Sequence, residues 1–413
     1  MTAHSLLSNK VFMRVFTSYS LSMLGIYFDR VAIFLLFAYV WQERPLMLAL
    51  IAVAIALPQT LISQFTGVFI ENKNKIKIML LADVSTALLT FSLLFISNTW
   101  FFLVILSLRS TIATIHFPAE QAIIKQIVPE SLVMRAVSLN GLSAQTSRII
   151  GPVVGATLAA LYSPLLCIFI NGVTLILSSL LLLSVLQEGK TTSSSKTKKK
   201  NSFWGDWREG WRIILKTRTL LFCFFYSFLG FFAVQMVDVQ FPILFRMLAP
   251  DRPEIMGWIM SFVGIGSVLI IVFLSRYKQL PYPTYLLIIS FLCLGIVLLS
   301  AGFLTTEFHL SGPLLMAIVL GFGAGLQMIV AQYVIQTETN GETIARVSSL
   351  YNSIISLSIL IAPLVGAFLV EILSIHPVLR ASGIFLFCIG AVTFLTQKIA
   401  HHKEPPALMK QSS

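Results

Sequence analysis

Long apolar runs recur at short intervals along the whole chain. Most contain about 20 or more mostly apolar residues, the length that an α-helix needs to cross a bilayer. Transmembrane β-strands show about ten residues of alternating hydrophobicity, whereas these runs are longer and do not alternate. The pattern predicts an all-α membrane protein with twelve transmembrane helices, at roughly 13–41, 46–70, 76–97, 100–124, 133–162, 164–187, 218–247, 255–275, 281–304, 311–337, 344–373 and 377–399.

The composition excludes a soluble domain of this size. Only 11% of the residues are charged and 57% are hydrophobic, whereas soluble domains carry about 25% charged residues. So few charges cannot cover a water-facing surface of 413 residues.

The placement of Lys and Arg predicts the orientation. Alternate connections carry 22 of the 29 basic residues, four lie in the other connections and three lie inside predicted helices. Because positive charge accumulates on the cytoplasmic side, we expect a bacterial inner (cytoplasmic) membrane and cytoplasmic N- and C-termini. The net charge of +12 then reflects topology and anionic lipid headgroups, and we expect no nucleic-acid binding.

A polar, basic segment at 189–202 divides the runs six and six. This predicts an N-terminal bundle at 1–188, a cytoplasmic linker at 189–217, a C-terminal bundle at 218–399 and a cytoplasmic tail at 400–413. Within the linker, residues 203–216 place Trp204, Trp207, Trp211, Ile214 and Leu215 at helical spacing on one face. That face indicates an amphipathic helix in the membrane interface or a packed cytoplasmic element.

The two halves contain a repeat. The segment from Arg135 to Ala156 matches the segment from Arg346 to Ala367 at a constant offset of 211, and 17 residues separate Arg from Pro in each copy. Duplicated six-helix halves are the architecture of secondary transporters, which place a central site between two bundles.

Four stretches resemble the major facilitator superfamily, in the branch of macrolide-efflux and siderophore-export proteins, over nearly the whole chain. Gly67-Val-Phe-Ile-Glu71-Asn-Lys-Asn-Lys75-Ile-Lys77 is similar to the family's GxxxDRxxRR loop. Arg109-Ser110 with His116-Phe-Pro118-Ala119 resembles helix 4 of macrolide-efflux proteins. The other two are Arg148-Ile-Ile-Gly151-Pro152-Val-Val-Gly155, similar to the antiporter signature of helix 5, and Gln332-Tyr-Val-Ile-Gln336-Thr337, which resembles helix 10 of siderophore exporters.

The sequence departs from these motifs at the loop acid, which is Glu71, and at Ala156, where the signature has a second glycine. The resemblance implies two pseudo-symmetric bundles, alternating access and a cavity lined chiefly by helices 1, 4, 7 and 10. It also implies conformational gating by Gly67, Glu71, Lys75, Glu120, Arg148, Gly151, Pro152, Gly155 and Pro363. For Arg148, a hydrogen bond to neighbouring carbonyls is an equal alternative.

Charged residues within the predicted spans are candidates for function because they are costly inside a bilayer. Arg109, His116 and Glu120 lie within about 40° of one another on one face of a single predicted helix. At 1.5 Å per residue from Trp100, Arg109 is about 13 Å deep and Glu120 about 30 Å deep. We expect His116 to pack between helices or relay protons, and Glu120 to join Lys75 and Glu71 in a cytoplasmic charge network.

Asp29 is taken as the only other deep acid of the first half. We expect it to pair with Arg109, because both helices line the family's cavity. In this hypothesis Asp29 carries the coupling proton while Arg109 tunes its affinity or meets substrate. The alternative is a static ion pair.

The second half offers two polar pairs at helical spacing: Gln235 with Asp238, and Gln332 with Gln336. Polar groups of this kind orient a ligand in a mostly apolar cavity, or they form interhelical hydrogen bonds. With Asp29 and Arg109 they complete the predicted substrate cavity.

The sequence predicts no catalytic, metal or cofactor site. The four cysteines lie in apolar runs without a CxxC pair, so we expect no metal site. No HExxH or GxSxG motif occurs, so we expect no cofactor and no enzyme activity.

The sequence therefore favours a monomeric, proton-coupled exporter of amphipathic organic molecules: drugs, macrolide-like compounds or a siderophore. One alternative is an uptake carrier for a lipid-like or small anionic solute, with Arg109 as the anion contact. A membrane sensor or enzyme is a third, less favoured alternative.

The topology is testable by cysteine labelling. A cysteine placed in 189–202 should react with an impermeant maleimide only after permeabilisation, because the charge split puts this segment in the cytoplasm. A control cysteine between 304 and 311 should react in intact cells. Labelling of the 189–202 cysteine in intact cells would contradict the helix assignment.

Overall fold

A computed structural model describes residues 6–70, 73–186, 203–277, 280, 282–339 and 343–403. The predicted flexible segment at 189–202, Glu71, and the tail from 404 onward lie outside these residues. The regular elements of the described residues are helices: a 3₁₀ turn (Leu6–Ser8), a π-helical turn (Leu36–Val40) and fifteen α-helices. These are α1 (Lys10–Leu35), α2 (Pro45–Ile70), α3 (Lys75–Leu93), α4 (Thr99–Ala113), α5 (His116–Ile127), α6 (Glu130–Leu161), α7 (Pro164–Leu183), α8 (Phe203–Lys216), α9 (Arg218–Asp238), α10 (Phe241–Leu248), α11 (Glu254–Leu274), α12 (Pro283–Ala301), α13 (Ser311–Glu338), α14 (Ile344–Leu373) and α15 (Ile375–Lys403).

The all-α membrane class is confirmed. Among the described residues, eleven helical stretches are long and apolar enough to cross a bilayer. The twelfth predicted span, at 133–162, lies in α6, a helix of 32 residues. It is not among the eleven, and it carries polar residues such as Asn140, Gln145 and Arg148.

Several membrane helices begin at a polar cap that satisfies the free N–H groups of the first turn. The Asn9 side-chain oxygen accepts hydrogen bonds from Val11 N and Phe12 N, both at 3.1 Å. Asn74 and Asn98 cap α3 and α4 in the same way, each at 3.0 Å. These caps place the helix starts at the polar ends of the apolar runs.

The fourth predicted span, at 100–124, is confirmed as one apolar stretch at Thr99–Ile124, but the helix within it is not continuous. Helix α4 ends at Ala113 and α5 begins at His116, with a turn at Thr114 and Ile115. Pro118 explains the break: its ring clashes with the carbonyl four residues earlier, at Thr114, and it has no N–H to donate. Arg109 and His116 therefore belong to two helical segments.

The predicted amphipathic segment is helical as α8. On its apolar face Ile214 is buried, Trp211 is half-buried and Leu215 is exposed. Its Glu209 accepts a hydrogen bond of 2.6 Å from Arg346, at the start of α14. Residue 346 opens the second copy of the sequence repeat, so the repeat motif here also holds α8.

The chain divides into two compact units. The first contains 1–200, 236–264 and 359–372; in it α1 packs against α6 and α7, α3 against α4 and α7, and α2 against α4. The second contains 201–235, 265–358 and 373–413; in it α12 packs against α13 and α15.

Glycines of the repeat let helix backbones meet inside the first unit. A Cβ on Gly155 in α6 would lie 3.0 Å from Phe28 Cα and 3.1 Å from Phe28 O in α1. The corresponding Gly366 in α14 lies directly against the backbone of Met236 in α9. Both copies of the repeat therefore use this glycine for a close helix contact, a role the sequence match alone does not reveal.

Substitution of Gly155 tests this packing. Gly155→Ala should lower the free energy of unfolding by about 1–3 kcal/mol, because the new methyl meets backbone that cannot rotate away. Gly141→Ala in the same helix is the matched control, since nothing lies within 4 Å of its Cβ position and Ala is the better helix former. Thermal unfolding in detergent measures both; equal melting temperatures would contradict the assignment.

Candidate functional site

A buried ion pair joins α1 to α4 in the first unit. Arg109 Nη2 lies 2.5 Å from Asp29 Oδ2, and the two side chains are 11% and 2% exposed. The structure thus brings together the two residues that the sequence pairs. A charge-assisted hydrogen bond in such dry surroundings is strong, and each partner offsets the desolvation cost of the other.

The pair does not satisfy all of its own polar atoms. Asp29 Oδ1 and Arg109 Nη1 are buried, and neither has a hydrogen-bond partner within the described residues. Buried polar groups in folded proteins usually have one. The pair therefore has one free acceptor and one free donor for water, a solute or a rearranged neighbour.

A cavity of about 110 Å³ adjoins the pair. It lies entirely within the first unit, and its walls combine charged, amide and hydroxyl groups with apolar side chains. The residues around it are Ser22, Met23, Ile26, Asp29, Arg30, Ile55, Gln59, Asp83, Thr86, Arg109, Ser110, Ala113, His116, Phe117, Asn171 and Leu175.

Asp83 is a second buried acid at this cavity, which corrects the expectation that Asp29 is the only deep acid partner in the first half. Asp83 lies in α3 and is 3% exposed, and its Oδ1 is 3.3 Å from Nε2 of His116. Ser178 Oγ donates a hydrogen bond of 2.5 Å to Asp83 Oδ2. The signal was present in the sequence, because Asp83 falls inside the apolar run at 76–97.

Glu120 does not line this cavity. It is fully buried, and Asn140 Nδ2 of α6 donates a hydrogen bond to its Oε1. Lys75 is also buried, whereas Glu71 lies outside the described residues. The charge network expected between these three residues stays a prediction.

The polar residues predicted in the second half are more accessible. Asp238, Gln332 and Gln336 are exposed, and Gln235 is partly buried. Arg148, exposed on α6, acts electrostatically on Asp238. The sequence analysis missed Gln327, which is buried and donates a hydrogen bond of 2.9 Å to Ser227 O.

Arg246 forms a contact that the sequence analysis did not foresee. Its Nη1 donates to Ala38 O at 2.6 Å, within the π-helical turn that ends the first span. Gln240 Nε2 donates to Pro45 O at 3.3 Å. Both contacts lie in the first unit, at the helix ends that the sequence predicts to be on the outer side of the membrane. They connect the segment 236–264 to the end of the first span and to the start of α2.

The helix arrangement matches solved transporters of low sequence similarity. The nucleoside transporter NupG has a TM-score of 0.75 at 12% identity, with 96% of this chain and all of that chain covered. A bacterial homologue of the human lysosomal transporter Spinster has a TM-score of 0.69 at 14% identity, with 98% and 100% covered. These likenesses show the major facilitator fold.

A family model described as "Transmembrane secretion effector" matches residues 1–410. The chain belongs to this family of the major facilitator superfamily. It is therefore a multi-pass membrane protein of a transporter superfamily, as the sequence motifs imply.

Two curated relatives of this major facilitator chain cover most of its length. The uncharacterized MFS-type transporter YfiS of Bacillus subtilis is 26% identical over 399 residues, covering 96% of this chain and 95% of its own. Macrolide efflux protein A of Streptococcus pyogenes is 23% identical over 357 residues, covering 83% and 85%.

The dependence of Asp29 and Arg109 on each other is testable by stability. Arg109→Gln should lower the free energy of unfolding by about 3–5 kcal/mol, because it leaves a buried carboxylate unpaired. The double variant Asp29→Asn with Arg109→Gln should regain a large part of this loss, since no unpaired charge is left. Melting temperatures in detergent of the wild type, both single variants and the double variant measure the coupling between the two residues. If the loss in the double variant equals the sum of the two single losses, the residues do not depend on each other.

Proposed function

We propose that this transporter is a proton-coupled exporter of amphipathic organic molecules that works by alternating access. The observation that carries the proposal is the buried Asp29–Arg109 pair with its free acceptor and donor atoms. It is built from a carboxylate that can take up a proton and a cation that competes with that proton.

Protonation and ion pairing are mutually exclusive at Asp29 Oδ2. When Asp29 is ionised, Arg109 holds it at 2.5 Å and α1 and α4 are joined. A proton on that oxygen removes the charge that Arg109 pairs with, so the helices lose this constraint and Arg109 needs another partner. A ligand shifts a conformational equilibrium only through different affinities for the two states, and this exchange supplies such a difference.

Alternating access requires an end of the transporter that closes and reopens. The contacts of Arg246 and Gln240 with the end of the first span and the start of α2 support such a gate at the predicted outer end. Gly257 of α11 lies against Ala156 and the Pro152 carbonyl of α6, which supports the gating role proposed for the helix-5 signature. Gly67, Gly151 and Pro363 stay proposed gating positions on the resemblance alone.

The substrate class is supported by the relative named macrolide efflux protein A. Gln235, Asp238, Gln332 and Gln336 remain the proposed polar substrate contacts, because amide and carboxyl groups orient a bulky apolar ligand. A bacterial inner membrane, cytoplasmic termini and a monomer complete the proposal.

One observation favours a second candidate function. Arg109 Nη1 has no hydrogen-bond partner among the described residues, and a guanidinium with a free N–H is a suitable contact for an anion. This supports the alternative of an uptake carrier for a small anionic or lipid-like solute.

Transport in inverted vesicles tests the main proposal. With an imposed pH gradient, the wild type should accumulate a radiolabelled macrolide, whereas Asp29→Asn should lose gradient-driven accumulation and keep macrolide binding, because the carboxamide cannot cycle a proton. Glu307→Gln, an exposed acid between α12 and α13, is the matched control and should accumulate normally.

Two outcomes would contradict this proposal. Wild-type accumulation by Asp29→Asn at a full gradient would exclude Asp29 as the proton carrier, and Asp238 or Glu120 would be tested next. Accumulation of an anionic solute in the opposite direction would favour the uptake carrier.

A further inference from the structure

A second acid–base pair lies in the first unit, separate from the ion pair between Asp29 and Arg109. Asp83 of α3 and His116 of α5 are both buried, and Oδ1 of the acid is 3.3 Å from Nε2 of the ring. Burial of two ionisable side chains in one place is costly unless they interact. Each of the two side chains therefore offsets part of the other's cost of burial, and such burial inside a membrane span marks them as candidates for function.

Hydrogen bonds extend from this pair into two more helices. Ser178 Oγ of α7 donates to Asp83 Oδ2 at 2.5 Å, and Ser18 Oγ of α1 lies 2.6 Å from Ser178 Oγ. The carboxylate thus contacts His116 through one oxygen and Ser178 through the other. The hydrogen bond from Ser178 fixes Oδ2, and Oδ1 is left on the side of the ring.

The same cavity reaches both acids. Asp29, Arg109, Asp83 and His116 all line it. Polar atoms of its lining residues are buried without a hydrogen-bond partner in the described part of the chain: Ser22 Oγ, Asp29 Oδ1, Thr86 Oγ1, Arg109 Nη1, His116 Nε2 and Asn171 Oδ1. A cavity of about 110 Å³ has room for several waters, since each occupies about 30 Å³, and these polar atoms would be their partners.

We propose that Asp83 and His116 form a second proton-binding site, which holds one proton between them and exchanges it with Asp29 through water in this cavity. The proton adds one charge to the pair, so a carboxylate beside a neutral imidazole becomes a carboxylate beside an imidazolium. The pair changes from net −1 to net zero, and the low-dielectric surroundings favour the neutral combination. In this transfer an N–H bond forms at the ring of His116 as an O–H bond of a cavity water breaks, and that water regains its proton from protonated Asp29, which becomes a carboxylate again.

The charged groups around His116 are arranged for such an exchange. Asp83 faces the ring from α3, and Glu120 acts on it from the next turn of α5. Asp29, Arg30 and Arg109 border the same cavity from α1 and α4. A proton on the ring is thus attracted by two acids, Asp83 and Glu120.

This second proton site extends the proposed proton coupling. Only its role in transport rests on the proposed function. Proton binding itself is measurable on the purified protein without any substrate. This separation makes failure of the site distinguishable from failure of the proposed function.

Nitrogen NMR of the full-length protein in lipid nanodiscs, labelled with ¹⁵N-histidine, tests the site directly. The ring signal of His116, assigned as the one lost in His116→Gln, should change from imidazole to imidazolium between pH 9 and pH 5. In Asp83→Asn the midpoint of this change should move by at least one pH unit, because the carboxylate that stabilises the imidazolium is gone. His309→Gln, which removes an exposed histidine between α12 and α13, is the matched control and should leave the His116 signal unchanged.

A His116 ring that keeps one protonation state across this range would overturn the proposal. So would a midpoint that is the same in Asp83→Asn and the wild type, which would indicate a structural contact only. Asp29→Asn should keep the His116 titration; loss of it would show that there is one shared site rather than two.

Transport adds a second, independent readout. Asp83→Asn and His116→Gln should lower pH-gradient-driven macrolide accumulation at least fivefold while macrolide exchange without a gradient stays near the wild-type rate. If both variants retain full driven accumulation, the pair has no role in coupling and the proposal fails. If the wild type itself shows no driven accumulation, the proposed function fails, and the NMR titration still decides whether the site exists.

Discussion

The buried ion pair between Asp29 and Arg109 is the interaction on which this account depends. An arginine inside a membrane span is tolerated only when an acid, water or a ligand compensates its charge. Here one carboxylate oxygen does so at 2.5 Å, and the remaining polar atoms of the pair face a cavity that also borders a second acid. In the observed arrangement each charge offsets the desolvation cost of the other. Binding of a proton to Asp29, or of a ligand to Arg109, changes this balance, so the pair is suited to couple proton or ligand binding to helix movement.

Close contacts between helix backbones give the pair a rigid frame. Gly155 brings α6 against α1 next to Phe28, one residue before Asp29. Gly366, its counterpart in the repeat, brings α14 against α9 next to Met236, two residues before Asp238. In both halves the duplicated glycine therefore contacts a residue one or two positions before an acid.

The sequence predicted the parts of this protein that depend on hydropathy and chain symmetry. Runs of apolar residues located the membrane helices, and a constant offset located the repeat, because both properties are visible in one dimension. The pairing of Asp29 with Arg109 was also predictable, since isolated charges in membrane helices require partners. The turn before Pro118 was missed because the apolar run continues through it, although the proline itself marks the position.

Other features of the site depend on contacts between residues that are distant in the sequence, and hydropathy or motif patterns do not reveal such contacts. Asp83 lies in an apolar run, and only the fold shows that Ser178 donates to one of its oxygens and that His116 lies near the other. Arg246 was counted as one of few basic residues on its side, whereas the structure places it on the carbonyl of Ala38. Gln327 was passed over for Gln332 and Gln336, which share a helix with it but are exposed.

Proton movement driven by substrate is the most direct test of the central claim. The transporter would be reconstituted in proteoliposomes with a pH-sensitive dye inside, a macrolide gradient and no initial pH gradient. The account predicts that macrolide flow in the wild type drives protons the opposite way, and that Asp29→Asn abolishes this proton movement. Macrolide flow through the wild type without proton movement, or equal proton movement in Asp29→Asn, would contradict it.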